Sequence, residues 1–174
     1  TAVSICNTWV FLLTAIIDSL YPVILQSFKD KNLFERKNKQ LYAIVFYVSV
    51  SVSLLFSLLA SPIVDILYGE AYAPAAAPLR IITWYTAFSY LGVARNAWIV
   101  SYDMQKYLKY LYVGAAITNV LLNALMIPLL GASGAALASL LTQISTILLF
   151  PAFMKDLRPN VKLMIDAILL RNVF

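Results

Sequence analysis

Asp18, Arg95, Asn96, Asn119 and Asn123 are polar side chains set inside runs of apolar residues. A carboxylate in hydrocarbon is strongly destabilising unless it is paired, protonated or wetted. Pro22 follows Asp18 at i+4, and its ring removes the helix hydrogen bond to the Asp18 carbonyl. A loose carbonyl beside a carboxylate resembles the broken-helix ion sites of transporters, which makes Asp18 a candidate for ion coupling. A protonated Asp in a helix seam is the alternative. Arg95, with Asn96 beside it, borders a semi-polar stripe of Tyr85, Ser89, Gly92 and Asn96. Its planar fork of donors suits a phosphate in a wet cavity; the alternative is snorkelling to headgroups. Asn119 and Asn123 share one helical face at i and i+4, so their amides want partners across a helix interface or in a cavity.

The elements that must carry these residues are five apolar runs, about 3–27, 41–60, 78–101, 107–127 and 133–153. About 20 such residues cross a bilayer core of roughly 30 Å. Without water in that core each segment must satisfy its own backbone, which favours helices. The SVSVS stretch of the second run alternates like a strand, but the apolar residues on both sides favour a helix. The expected fold is therefore all-α and integral to the membrane, with about five transmembrane helices over residues 1–154 and a tail over 155–174. Composition agrees. Of the 174 residues 62% are hydrophobic and 12% charged, against about 25% charged in soluble domains.

No histidine and a single cysteine, Cys6, exclude imidazole acid–base chemistry, Ser–His triads, thiolate metal clusters and intramolecular disulfides. No Gly-rich phosphate loop is present. The expectation is a non-enzyme with no catalytic residues, no metal and no cofactor. The net charge of +5 sits in short loops beside the apolar runs, which points to anionic lipid and not to nucleic acid.

Those loops also predict orientation. Lys29, Lys31, Arg36, Lys37 and Lys39 follow the first run; Asp65 and Glu70 follow the second; Lys106 and Lys109 follow the third. The fourth turn is uncharged, and Lys155, Arg158 and Lys162 follow the fifth run. The first and third loops and the C-terminus are expected in the cytoplasm. The chain opens on Thr1 without a basic flank, so it does not read as a signal peptide; a C-terminal piece of a longer protein is expected.

Pro62 is expected to close the second run and Pro128 the fourth, with Gly69, Pro74 and Pro78 making an irregular loop and Gly131 and Gly134 a turn. Ser49, Ser53 and Ser57, and Ala135, Ser139, Thr142 and Thr146, form small-residue stripes suited to close helix packing. Tyr42, Tyr68, Tyr72, Trp98, Tyr102, Tyr107 and Tyr110 are expected at the membrane rims, and Arg80 in headgroups. The tail, with Lys162, Asp166 and Arg171, reads as a surface-lying amphipathic helix or as the start of a sixth span.

The Leu67–Ala75 loop (Leu-Tyr-Gly-x-x-Tyr-x-x-Ala), Gln105–Lys106, Asn119 to Asn123 leading to Ile127–Pro128, and Gly131-x-x-Gly134-Ala135-Ala136 occur in this order. Together they resemble the C-terminal half of the Wzx-like oligosaccharide (O-antigen) flippases, polysaccharide-biosynthesis proteins of the MATE/MOP-type superfamily. The resemblance covers about residues 10–160. It implies part of the C-terminal lobe of a transporter of about twelve helices in two lobes that alternate access. It further implies a bacterial or archaeal cytoplasmic (inner) membrane protein with a cytoplasmic C-terminus. The implied partners are membrane lipids, a lipid-linked oligosaccharide of undecaprenyl-pyrophosphate type, a coupling proton or sodium ion, and polysaccharide polymerase and chain-length proteins. Within this sequence it extends the cavity role only to Arg95 and Asp18; Asn96, Asn119 and Asn123 are substrate-contact candidates from their own positions inside the apolar runs.

Two neighbouring functions stay open on the same fold: a MATE-type cation or drug antiporter using Asp18 as its ion site, and a lipid-linked peptidoglycan-precursor flippase. A membrane-embedded glycan-processing enzyme is disfavoured, because the far-side loops are short and hold only Asp65 and Glu70 as acids. A purely structural or assembly subunit is a third class.

Overall fold

The structure is a computed structural model and describes residues 10–173. Residues 3–9 of the first run, including Cys6, lie outside the described residues, as does Phe174. Every regular element among the described residues is helical.

Helix α1, Val10–Ser27, carries Pro22 inside it and buries Leu13, Ile17 and Ile24 on one face. The chain turns at once into α2, Lys31–Leu58. Asp30 caps that helix: its carboxylate accepts from the amides of Asn32 at 2.9 Å and Leu33 at 3.1 Å, satisfying two otherwise orphaned donors. At about 1.5 Å per residue, the 28 residues of α2 reach roughly 42 Å, longer than a bilayer core of roughly 30 Å. Its first turns carry Lys31, Arg36, Lys37 and Lys39.

Pro62 does not close the second run. The break comes at Leu59, and Pro62 then sits in the first turn of a separate helix, α3, Ala60–Tyr68, where its missing N–H has no helical partner to lose. Gly69, at φ 80°, ends α3, and a 3₁₀ stretch, Glu70–Ala75, leads into α4, Ala76–Ala94. The expected irregular loop is thus mostly helical. Arg95 stands at the junction of α4 with α5, Asn96–Ser101.

After a second 3₁₀ turn, Gln105–Tyr107, α6 runs over Leu108–Ile144 with one non-helical residue, Gly131 (φ 55°, ψ −131°). Pro128 lies within the helix, and the reversal falls at Gly131 instead. A residue with a side chain rarely adopts that backbone. The two arms fold back on each other: Asn119 faces Thr142, and Gly114 faces Phe150. A Cβ at Gly134 would overlap the Met126 carbonyl, so glycine permits the close crossing. A π-turn, Ser145–Leu149, and the short α7, Phe150–Phe153, extend the second arm.

Three stretches are long and apolar enough to cross a membrane: Val10–Ser27, Lys31–Leu58 and Gln105–Phe153. The last holds both arms of the hairpin and therefore the fourth and fifth apolar runs. The third run is helical but falls outside this set, since Arg80, Thr83, Thr86, Ser89 and its tyrosines dilute its hydropathy. Large apolar side chains face outward: Phe11, Ile66, Val120, Leu125 and Leu129 are exposed. That inside-out distribution fits a transmembrane protein.

Helix α4 packs between α2 and the α6 hairpin. The α2 stripe makes the first contact: Ser53 Oγ donates to the Thr83 carbonyl at 2.8 Å, and Ser57 Oγ to the Arg80 carbonyl at 3.2 Å. Arg80 is exposed and donates to Ser61 Oγ at 3.1 Å.

The tail forms α8, Arg158–Ile168, which docks on α2. Tyr42, expected at a rim, is fully buried there. Its hydroxyl accepts from Asn160 Nδ2 at 2.7 Å and donates to Asn38 Oδ1 at 3.4 Å. Tyr47 donates to the Ile168 carbonyl at 2.7 Å, and Lys39 pairs with Asp166 at 3.5 Å. Trp98 is also buried, packed on Tyr102 with ring centroids 4.7 Å apart. Tyr68, Tyr72 and Tyr110 are exposed, as rim residues would be.

The hairpin crossing gives a stability test by unfolding in detergent micelles. Gly134→Ala should lose about 1–3 kcal/mol, the usual result of overpacking. Gly114→Ala should change stability by less than about 1 kcal/mol, because its Cβ meets only the Phe150 ring edge at 3.2 Å and alanine favours the helix. Equal effects at the two positions would contradict the crossing.

Candidate functional site

The stripe of Tyr85, Ser89, Gly92 and Asn96 faces a cavity of about 330 Å³ between α4, its junction with α5, and both arms of the hairpin. Arg95, Tyr112, Gln143 and Thr146 join the lining. Gly92 lets the second arm lie close, since a Cβ there would stand 2.7 Å from Ile147 Cδ1. A second cavity of about 660 Å³ adjoins the first, and the two share Tyr85, Ser89, Ala115 and Gln143. Thr86, Asn119, Ser139 and Thr142 also line the larger one. Both volumes fall within the range of small-molecule sites, roughly 300–1,000 Å³.

Arg95 is 3% exposed. Its one protein partner among the described residues is the Thr146 carbonyl, at 3.5 Å from Nη1, and Nε is buried without a partner. No carboxylate pairs with it among the described residues. An arginine buried this way is under-satisfied, because its planar fork offers five N–H donors. Thr146 lies inside the π-turn, a local irregularity that recurs at functional sites. Arginine, cavity and π-turn therefore converge on one place. The arrangement is suited to holding an anion with several acceptor oxygens, by charge-assisted hydrogen bonds. A snorkelling arginine would instead carry its head outward.

Asn96 lines the Arg95 cavity, and Asn119 lines the larger one. Asn119 Nδ2 also donates to Thr142 Oγ1 across the hairpin at 3.4 Å. Asn123 is satisfied within its own helix: its amide donates to Asn119 O at 2.9 Å and Oδ1 at 2.8 Å. It supports Asn119 and lines neither cavity. Asp18 lies apart, on the exposed face of α1 opposite Leu13, Ile17 and Ile24 and outside both cavity linings. Four candidates thus gather about the hairpin, and the ion-coupling candidate does not join them.

Gln143 and Tyr112 are site residues that were not singled out in the sequence. The signal for Gln143 was its amide inside the last apolar run, one position beyond Thr142 of the small-residue stripe. Tyr112 had no comparable signal, because rim tyrosines surround it. The described residues hold no cluster of three or more metal-ligating side chains.

Arg95→Met separates a structural from a binding role. Replacing a poorly satisfied buried charge by an apolar chain of similar length should leave stability unchanged or raise it by about 1 kcal/mol or more. Unfolding in detergent checks this, and a loss of about 3 kcal/mol or more would mark Arg95 as a structural keystone. Comparison with protein-family models, with curated proteins and with solved structures gives no match for this chain.

Proposed function

We propose that this chain forms part of a membrane transporter that moves a lipid-linked oligosaccharide of pyrophosphate type across the membrane. One observation carries the reading: a buried arginine with unpartnered donors lines a polar cavity between apolar helices. Flipping a glycolipid means sheltering a charged, hydroxyl-rich headgroup while its hydrocarbon tail stays in the bilayer. The Arg95 fork supplies the contact for the pyrophosphate. Asn96 and Gln143 supply neutral donors and acceptors beside it. Movement of the hairpin against α4 would open and close this space, as repeats rock about a fixed site in transporters.

The order of motifs from Leu67 to Ala136 supports the same reading through its likeness to the Wzx-like flippases. The basic Lys31–Lys39 and Lys155–Lys162 segments support an orientation with those ends in the cytoplasm. Asp18 does not line the cavity, and the drug-antiporter alternative gains no support from its position.

The test is transfer of a fluorescent lipid-linked oligosaccharide between leaflets of vesicles containing the full-length protein. Arg95→Met should slow transfer about tenfold or more at equal protein level, and Arg95→Lys should recover only part of it, since an ammonium lacks the planar fork. Wild-type transfer by Arg95→Met, or efflux of cationic dyes in place of glycolipid, would overturn the proposal.

A further inference from the structure

The two adjoining cavities differ in charge. Arg95 lines the smaller; no charged side chain is among the described residues lining the larger. Its polar lining is hydroxyl and amide only, including Tyr85, Ser89, Tyr90, Asn119, Ser139 and Gln143. Several of these groups are free. Among the described residues, no hydrogen bond joins the hydroxyls of Tyr85, Ser89 or Tyr90, or the Gln143 amide, to another protein group. Hydroxyls and amides both donate and accept. Sugar hydroxyls and acetamido groups do the same, so the two sets are complementary.

A carboxylate placed in this chamber would find no cation in its described lining, and an ammonium would find no carboxylate. Either charge would give up its hydration without compensation. Gln143 lines both cavities and stands where the charged part gives way to the neutral part.

We infer that the larger chamber selects an uncharged sugar next to the pyrophosphate, with Gln143 as a specificity-determining residue at the boundary. The inference rests on the proposed function and narrows its substrate class. A ligand so held spans both cavities. Its diphosphate lies on Arg95, its first sugar lies among the Tyr85, Ser89 and Asn119 side chains, and uronic acids or free amino sugars at that position are excluded.

Three probes test it on the full-length protein in lipid nanodiscs: a short-chain polyprenyl diphosphate alone, the same lipid carrying one N-acetylhexosamine, and the same lipid carrying one hexuronic acid. The N-acetylhexosamine probe should bind about tenfold more tightly than the bare diphosphate, the gain expected from one or two well-made hydrogen bonds. The uronic-acid probe should bind no better than the bare diphosphate. Gln143→Leu should bring the ratio of the first two affinities toward one. Arg95→Met should weaken all three probes together and preserve their ratios. If all three bind equally, or the uronic-acid probe binds best, the neutral chamber is refuted while the diphosphate contact stands. If none binds, the proposed function falls as well.

Discussion

The structure depends on one constraint: in hydrocarbon, a polar group must find its partner within the protein. Backbone groups do so through helices. Side chains do so where helices meet, and these contacts fix which faces pack. Ser53 and Ser57 tie α2 to carbonyls of α4. Asn119 and Thr142 join the two arms of the hairpin. Ser139 instead bonds within its own arm, donating to the Ala135 carbonyl at 2.9 Å. The outward faces keep Phe11, Val120, Leu125 and Leu129, for which lipid is as good a solvent as protein.

Ser49, Arg95 and Asn160 each keep a buried side-chain atom without a partner among the described residues, and of the three Arg95 is the charged one and lines the cavity. Its guanidinium is as buried as a core residue, yet its described protein contacts amount to one long bond to the Thr146 carbonyl. The fold holds it there by packing, with Leu91, Ala94, Ala97 and Ile99 fully buried around it in sequence. A charge kept in place by its neighbours and left short of partners is suited to contact a ligand or water. At the other polar centre, where α8 docks on α2, Tyr42 is satisfied by both Asn38 and Asn160. That network fastens two helices, whereas the Arg95 site opens on a cavity.

Much of this was legible locally. The apolar runs gave the helices, the serine stripe of α2 gave its packing face, and the spacing of Tyr85, Ser89, Gly92 and Asn96 gave the cavity wall. These are properties of one helix read by its own period. What was not legible depends on residues far apart in the chain. Tyr42 looked like a rim tyrosine because its partner, Asn160, lies 118 residues away. Trp98 looked like a rim residue for a related reason: its helix, α5, packs against α1, far back in the chain. Pro62 and Pro128 looked like helix ends, but proline in a first turn removes no bond, and a glycine three residues after Pro128 made the true reversal. Asp18 drew notice for its depth in an apolar run; which face it occupies is decided by α2, against which α1 lies.

The central claim is that the space beside α4 and the hairpin is wet while the outer hairpin surface is in lipid. Thiol accessibility in native membranes measures this directly, on a protein whose Cys6 is replaced by serine. A thiol reacts as its thiolate, which forms in water and not in hydrocarbon. Ser89→Cys and Asn119→Cys should therefore label rapidly with a charged thiol reagent, and Val120→Cys and Leu125→Cys should stay unlabelled although both positions are exposed on the isolated fold. Rapid labelling at Val120→Cys and Leu125→Cys, with protection at Ser89→Cys and Asn119→Cys, would contradict the account.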